Sequence, residues 1–354
     1  MPPLPDPSPR RLGYRMPAEW APHEATWLTW PHCEETWPGK LASVFPAYAA
    51  MIDALRIGER VYVNVLSEGH RAFVAEYLRE RGVPTGEGSN VVLHVLPTED
   101  EWVRDYGALF VTRPGTRAAT DWVFNSWGGK YPRTSLNNRV PEAMAAETDA
   151  PVFECPIVME GGALDVNGEG VLLTTEACLL NPNRNPDLSK EQIEAWLREG
   201  LGVETIWWLG DGIAGDDTDG HVDDLTRFVA PDTVVTVVEP DPSEVNHAPL
   251  QENLERLHTL RFPDGRPLRV VELPMPAPRY YQGERLPASY ANFYIGNAVV
   301  LLPVFGDPND AVAVETLQGF FPDRRLVGIP AEDLTWGLGA CHCLTQQVPA
   351  VPPA

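Results

Sequence analysis

Five segments of the chain repeat one layout: a polar or charged residue, a short apolar strand, a tight turn and a second strand. They begin at Asp105, Glu160, His221, Asn292 and Cys343, at intervals of 55, 61, 71 and 51 residues. A strand pair of this size cannot bury its own faces, so units of this period are expected to stack or repeat radially against their neighbours. Set about an axis, five such units bring their leading polar residues together in one central cleft.

The local patterns between these leaders read as α/β. Apolar, β-branched runs at Val61–Leu66, Val91–Leu96, Ala108–Thr112, Gly170–Thr174, Thr233–Val238 and Asn297–Val304 predict strands. Helical patterns lie between them. Ser189 can cap a helix with Gln192 three residues on, as in a capping box. Ile193, Trp196 and Leu197 then share one face, with Gly200 and Gly202 expected to end the helix. A second helix is expected over Ala311–Phe320, before Pro322. With 36 Pro and 29 Gly spread along 354 residues, the elements are short and the turns tight. The expected organisation is one α/β domain over residues 16–349. A flexible Pro-rich arm (1–15) precedes it and a short flexible tail (350–354) follows.

Charge narrows the partners. With 27 basic against 50 acidic side chains the chain carries −23, and only Lys40, Lys130 and Lys190 are lysines. Nucleic acid and anionic membranes need clustered basic surface and are excluded as partners. No run reaches the roughly 18 apolar residues of a membrane span. The N-terminal sequence lacks a signal-peptide core, so a cytoplasmic protein is expected. Five cysteines, Cys33, Cys155, Cys178, Cys341 and Cys343, are an odd and scattered set that reads as reduced thiols rather than a disulfide framework.

Three stretches could carry chemistry. In Asp216-Asp-Thr-Asp-Gly-His221-Val-Asp223-Asp224, an extended strand would put His221 and Asp223 on one face, and a His beside a carboxylate is a usable general acid/base. The spacing breaks the EF-hand pattern, and there is no second His or Cys-x-x-Cys for zinc, but a solvated loop remains an alternative. Cys341-His342-Cys343 follows the Gly337-Leu-Gly turn; in a strand its two thiols would face opposite ways, so at most one faces a cleft, and a buried structural thiol is the competing reading. In Glu99-Asp-Glu-Trp102-Val-Arg-Asp105, carboxylates beside an aromatic suit a planar cation, though an exposed acidic loop fits as well. Asn125-Ser-Trp-Gly-Gly-Lys-Tyr131 is a second aromatic–glycine loop with no role of its own at this level.

Taken together, the segments resemble the agmatine deiminases (agmatine iminohydrolases) of the guanidine-modifying, or pentein, superfamily. The likeness runs from about Met16 to Pro349. It rests on Met16-Pro-Ala-Glu-Trp-Ala-Pro-His-Glu-Ala-Thr-Trp-Leu-Thr-Trp-Pro-His, Trp102-Val-Arg-Asp105, Trp127-Gly-Gly-Lys-Tyr, Glu160-Gly-Gly and Leu180-Asn-Pro-Asn-Arg-Asn-Pro. It continues through Gly220-His-Val-Asp, Ser289-Tyr-Ala-Asn-Phe-Tyr-Ile, Phe305-Gly-Asp-Pro-Asn-Asp and His342-Cys-Leu-Thr-Gln-Gln.

The resemblance implies a five-bladed α/β propeller with pseudo-fivefold repeats. It implies hydrolysis of agmatine to N-carbamoylputrescine and ammonia, on the route to putrescine and polyamines, without metal or cofactor. By the same resemblance Cys343, not Cys341, is the nucleophile and His221 the general acid/base. Asp105 and Asp223 grip the guanidinium, and Glu160 orients or charges His221. Trp102, Glu101, Asp217 and Asp219 are the candidates to read the distal amine, and homo-oligomers are expected.

The chain also departs from the family pattern. Gly337-Leu-Gly-Ala-Cys-His-Cys stands where Gly-Gly-Gly-Asn-Ile-His-Cys is usual, Asp219 where Asn is usual, and Ala108 where Pro often is. Two other readings therefore stay open: a bacterial-type peptidylarginine deiminase, and a catalytically silent guanidine-binding protein.

Overall fold

Five sheets are built on one plan in the computed structural model, which describes residues 2, 4, 6–132 and 134–354. The strands are β1 (His23–Thr29), β2 (Arg60–Val65), β3 (Val91–Val95), β4 (Leu109–Arg113), β5 (Thr116–Val123), β6 (Val152–Val158), β7 (Leu164–Val166), β8 (Val171–Thr175) and β9 (Thr205–Leu209). They continue with β10 (Thr226–Ala230), β11 (Thr233–Val238), β12 (Arg269–Pro274), β13 (Tyr280–Tyr281), β14 (Glu284–Arg285), β15 (Tyr294–Ile295), β16 (Val299–Val304), β17 (Arg325–Pro330) and β18 (Gln346–Pro349).

In β4-β5-β6, β7-β8-β9, β10-β11-β12 and β15-β16-β17 a first strand pairs antiparallel with the second, which pairs parallel with the third. A parallel neighbour demands a crossover. Helices supply it: Val140–Glu147, Lys190–Leu201, His247–Thr259 and Asn309–Phe320. The fifth sheet, β18-β1-β2-β3, joins the two ends of the chain, with His23 opposite Pro349 and Trp27 opposite Gln346. The hairpin β13–β14 stands apart from all five.

Local rules explain most of these elements. Ser189 and Gln192 form the expected capping box, and Gly202 closes that helix in the left-handed region at φ 67°. Gly200, expected to help end it, lies inside it. A Cβ there would sit 2.7 Å from the Trp122 ring, so the glycine serves close packing instead. The second expected helix begins two residues earlier, at Asn309.

Two other expectations change. His221 and Asp223 are not on an extended strand: a 3₁₀ turn covers Val222–Asp224 and the strand starts at Thr226. Cys341–Leu344 likewise form a turn, with β18 starting only at Gln346. The same device recurs at Asp105, within the single helical turn Val103–Tyr106, and at Glu160, just before the turn Gly161–Ala163. In these four repeats a turn at or just after the leader separates it from the strand that follows.

Part of the N-terminal segment packs against the fold, with Leu4, Leu12 and Tyr14 on one apolar cluster. Ser8 is fully buried, its hydroxyl donates to Glu199 at 2.5 Å, and Arg15 exchanges backbone bonds with Thr112. At the other end the amides of Ala350 and Gly115 donate to Pro22 and Pro352 carbonyls respectively.

Candidate active site

The five repeat leaders meet. Asp105 Oδ1 accepts the Gly162 amide at 3.0 Å and lies 3.8 Å from His221 Nδ1. Donor atoms of Glu160 and His221 lie within 4.8 Å of each other. Asn292 Nδ2 reaches Cys343 Sγ at 3.0 Å. Glycine makes this approach feasible: a Cβ at Gly162 would sit 2.6 Å from His221 Nδ1 and 2.8 Å from Asp105 Oδ1. The Glu-Gly-Gly motif is thus a spacing requirement.

Asp223 stands between His221 and Cys343. Its Oδ2 accepts His342 Nδ1 at 2.7 Å and lies 3.6 Å from Cys343 Sγ. Its Oδ1 is 4.0 Å from His221 Nδ1 and has no hydrogen-bond partner among the described residues, and both ring nitrogens of His221 are likewise unpartnered. Unpaired buried polar atoms are costly. Here they gather round one point, which is what a site awaiting a polar ligand requires.

Burial, with the Asp223 charge beside it, pushes the Asp105 carboxyl well above the usual range. Burial also works to raise Asp223, but the hydrogen bond and charge of His342 hold it below its ordinary value. The Cys343 thiol is pushed well up by burial and by the charges of Asp223, Asp224 and Asp105. Burial drives His221 down to about 3, leaving it neutral at physiological pH. Burial and mutual repulsion thus favour the uncharged forms of Asp105, Cys343 and His221, and an added positive charge would favour ionising the first two.

Glu160 lies near His221 without bonding to it. Arg184 Nε donates to Glu160 Oε1 at 2.7 Å, and burial still raises the Glu160 carboxyl above its ordinary value despite that cation. Glu160, Cys178 and His221 form one buried set of potential metal donors. The fully buried Arg184 guanidinium already supplies the positive charge on that side, so the set is ill suited to a second cation.

Cys343 lines a cavity of about 340 Å³ with Asp105, Trp102, Trp127, Asp217 and Leu338. Further carboxylates on its wall are Asp100, Glu35 and Glu284, and among its described lining residues none is Lys or Arg. Asp217 accepts Tyr131 OH at 2.7 Å. Asp219 is turned away into bonds with Asn183, Arg184 and Lys130, which outweigh its burial and bring it down to about 2. Glu101 is buried behind the wall, with Oε1 taking the amides of His32 and Cys33 at 2.7 Å each. Cys341 is fully buried, its thiol raised by burial alone, and does not line the cavity.

Several residues here had no role assigned from sequence. Asn292 Oδ1 accepts the amides of His342 (3.0 Å) and Cys343 (3.4 Å), which pins the nucleophile turn. Trp127 Nε1 donates to Asp105 Oδ2 at 2.9 Å. Arg184, His342 and Glu19 complete the ionic surroundings. Asn292 leads one of the five repeats and Trp127 sits in a Gly-Gly loop, and both are local signals; Glu19 and Arg184 lie within motifs that carry the resemblance, but their partners are distant in sequence and their roles were not readable there.

Known proteins match this chain over nearly its whole length. The family described as Porphyromonas-type peptidyl-arginine deiminase matches residues 15–349. A Legionella pneumophila protein, provisionally named an agmatine deiminase, is 40% identical over 345 residues, covering 97% of each chain. The solved agmatine deiminase of Enterococcus faecalis superposes with a TM-score of 0.88 at 33% identity, covering 97% of both chains. A C. jejuni agmatine deiminase solved with substrate bound, a Cys→Ser variant, gives 0.86 at 30% identity, covering 96% of this chain and 97% of that one. A match over nearly the whole length, on a site whose carboxylates, His and Cys converge, has one reading: the chain belongs to the Porphyromonas-type peptidyl-arginine deiminase family.

Proposed function

We propose that this protein is an agmatine deiminase, and that its five sheets stand as blades about a pseudo-fivefold axis that passes through the site. The observation that carries the substrate is the cavity wall: five carboxylates and, among the described residues, no Lys or Arg. Agmatine is cationic at both ends. Free arginine brings an α-carboxylate, which this wall would repel and leave unpaired. The catalytic unit is taken to span residues 16–349, with part of the N-terminal segment packed against it.

In this reading Asp105 and Asp223 take the guanidinium N–H groups and fix its carbon against Cys343. The arriving cation lowers the cost of a thiolate, and His221, neutral beforehand, accepts the thiol proton. Sulfur attacks the guanidinium carbon. The C–N bond breaks as His221 returns that proton to the leaving nitrogen, which departs as ammonia, and a thiouronium remains on Cys343. His221 next takes a proton from water and the hydroxide adds to the carbon; the C–S bond then breaks as His221 returns that proton to sulfur, restoring the thiol, and the added hydroxyl loses its proton to solvent to give N-carbamoylputrescine. Glu160, charged and held by Arg184, favours the imidazolium that forms on the way. Trp102 and Trp127 flank the alkyl chain, and Asp217 is placed for the distal amine.

Ammonia release assayed with agmatine, free arginine and an arginyl peptide tests the proposal, together with mass spectrometry of a stalled reaction. Turnover of agmatine alone, with an adduct on Cys343, is expected. Preference for the peptide would make it a peptidylarginine deiminase. A Tm raised by agmatine without turnover would make it a guanidine-binding protein, and an adduct on Cys341 would overturn the assignment of the nucleophile.

A further inference from the structure

We infer that His342 is a positioning residue: it clamps Asp223 from behind as part of a buried carboxylate–imidazolium–carboxylate chain that ends on Glu19. The inference rests on the reading of Asp223 as a carboxylate that grips the guanidinium.

The geometry requires two donors on one ring. His342 Nδ1 lies 2.7 Å from Asp223 Oδ2, and Nε2 lies 2.8 Å from Glu19 Oε2. A neutral imidazole has one N–H and could serve only one of these oxygens. An imidazolium carries an N–H on each nitrogen and satisfies both oxygens at once. Burial works against the Glu19 charge, but Arg227, His342 and Arg104 outweigh it and keep the carboxyl well below its usual range. Arg227 Nη2 stands 2.9 Å and Arg104 Nη2 3.5 Å from Glu19. The far end of the chain is thus held by two buried guanidinium groups. It is also tied to the fold, because Glu19 Oε1 accepts the Ile295 amide at 2.8 Å.

Two consequences follow for Asp223. Its Oδ2 is committed to His342 and the Cys343 thiol, so Oδ1, buried and unpartnered, is left for an incoming N–H. Its charge is also sustained against strong opposition. Cys343, Asp105 and Asp224 all face it, and burial drives His221 toward its neutral form. On the opposite flank His342 bonds Asp223. Its own backbone amide donates to Asn292 Oδ1, which also takes the amide of Cys343. The clamp and the nucleophile therefore move as one piece.

The test uses His342→Gln, which keeps a donor and removes the charge, and Glu19→Gln, which leaves the imidazole but removes its second carboxylate. Two readouts are taken: kcat and KM for agmatine from pH 5.5 to 9.5 and, at the alkaline end where the free thiol reacts, the agmatine concentration that half-protects Cys343 from iodoacetamide. For His342→Gln, KM near neutrality and the half-protection concentration are expected to rise at least tenfold. The acid limb of kcat/KM should move up by about one pH unit or more. Glu19→Gln should shift the same limb in the same direction by less, and Tm is measured alongside.

If agmatine protects and is turned over by the wild type, and both variants keep its acid limb and half-protection concentration, His342 is merely structural and the inference falls alone. If agmatine neither protects nor is turned over by the wild type, the proposed function falls and takes this inference with it.

Discussion

The indole N–H of Trp127 donates to Asp105 Oδ2 at 2.9 Å from a backbone that is left-handed at both Ser126 (φ 56°) and Trp127 (φ 52°). That conformation costs a non-glycine residue roughly 1–2 kcal/mol. It persists because the loop is stapled: Asn125 Oδ1 accepts the Gly128 amide at 2.8 Å, and Asn125 Nδ2 donates to the Asn183 carbonyl at 2.9 Å. Strain held this way at a cleft commonly serves to aim a group, and here the group aimed is the donor that orients a carboxylate.

Trp127→Phe should keep the packing and lose that donor. A hydrogen bond to a charged group contributes about 1.5–3 kcal/mol, so kcat/KM for agmatine should fall roughly 10- to 100-fold. Steady-state kinetics checks this, with Tm expected to move by only a few degrees. A variant within twofold of wild type would remove the tryptophan from the account of Asp105.

The thiol of Cys343 should be unreactive until a cation arrives. Burial and three nearby carboxylates raise it, so at pH 8 the free protein should hold less thiolate than an ordinary cysteine near ~8.5. Alkylation by neutral iodoacetamide should therefore be slow at pH 8 and climb toward pH 10. A cationic amidine electrophile should inactivate far faster at pH 8. Equal rates for the two reagents, after correction for their intrinsic reactivity, would contradict a cation-dependent thiolate.

Stability should rise on mild acidification. Burial, and for Asp100 the neighbouring Glu101 charge, raises Asp100 and Glu101 each to about 7. Unfolded, they titrate near ~4. The folded state therefore binds the extra proton, and the stability this confers is lost as pH rises through about 7. Going from pH 8.5 to 6.5 should add about 1 kcal/mol and raise Tm by about 1–2 °C. His221, depressed to about 3, acts with the opposite sign: at pH 6.5 its unfolded form is half protonated, which takes back about 0.4 kcal/mol of the gain from the two carboxyls. Scanning calorimetry of wild type and Glu101→Gln tests it: the variant should show the flatter dependence.

Leu338 lines the cavity at φ 73°, in the left-handed region, where glycine is usual in the family pattern. Leu338→Gly should relieve roughly 1 kcal/mol of strain, partly offset by the greater freedom of glycine when unfolded. Tm should rise slightly or hold, while KM for agmatine rises as the wall recedes. A large loss of Tm would show that the leucine's packing outweighs its strain.

Much of this site was legible as a string of residues. Asp105, Glu160, His221, Asn292 and Cys343 each lead one repeat, and the repeat alone suggests that they meet. The capping box at Ser189 and most strand cores were equally readable, because period-two and period-3.6 patterns are local. The missing detail lay at the turns. His221-Val-Asp223 alternates like a strand, yet tertiary packing folds Val222–Asp224 into a 3₁₀ turn. Asp219 looked like a carboxylate for the substrate, but Arg184 and Lys130 claim it.

Residue types and their order thus settle the α/β character, the acidic balance and which side chains are candidates to react, since these depend on chemistry carried by each side chain. Which of the two thiols faces the cavity, which oxygen of Asp223 stays open and which charges are compensated depend on contacts across the chain. His342 finds Glu19 across 323 positions and Asp223 across 119. Folding brings those groups together and takes them out of water, and in that low-dielectric setting a few ångströms decide which of them stay charged.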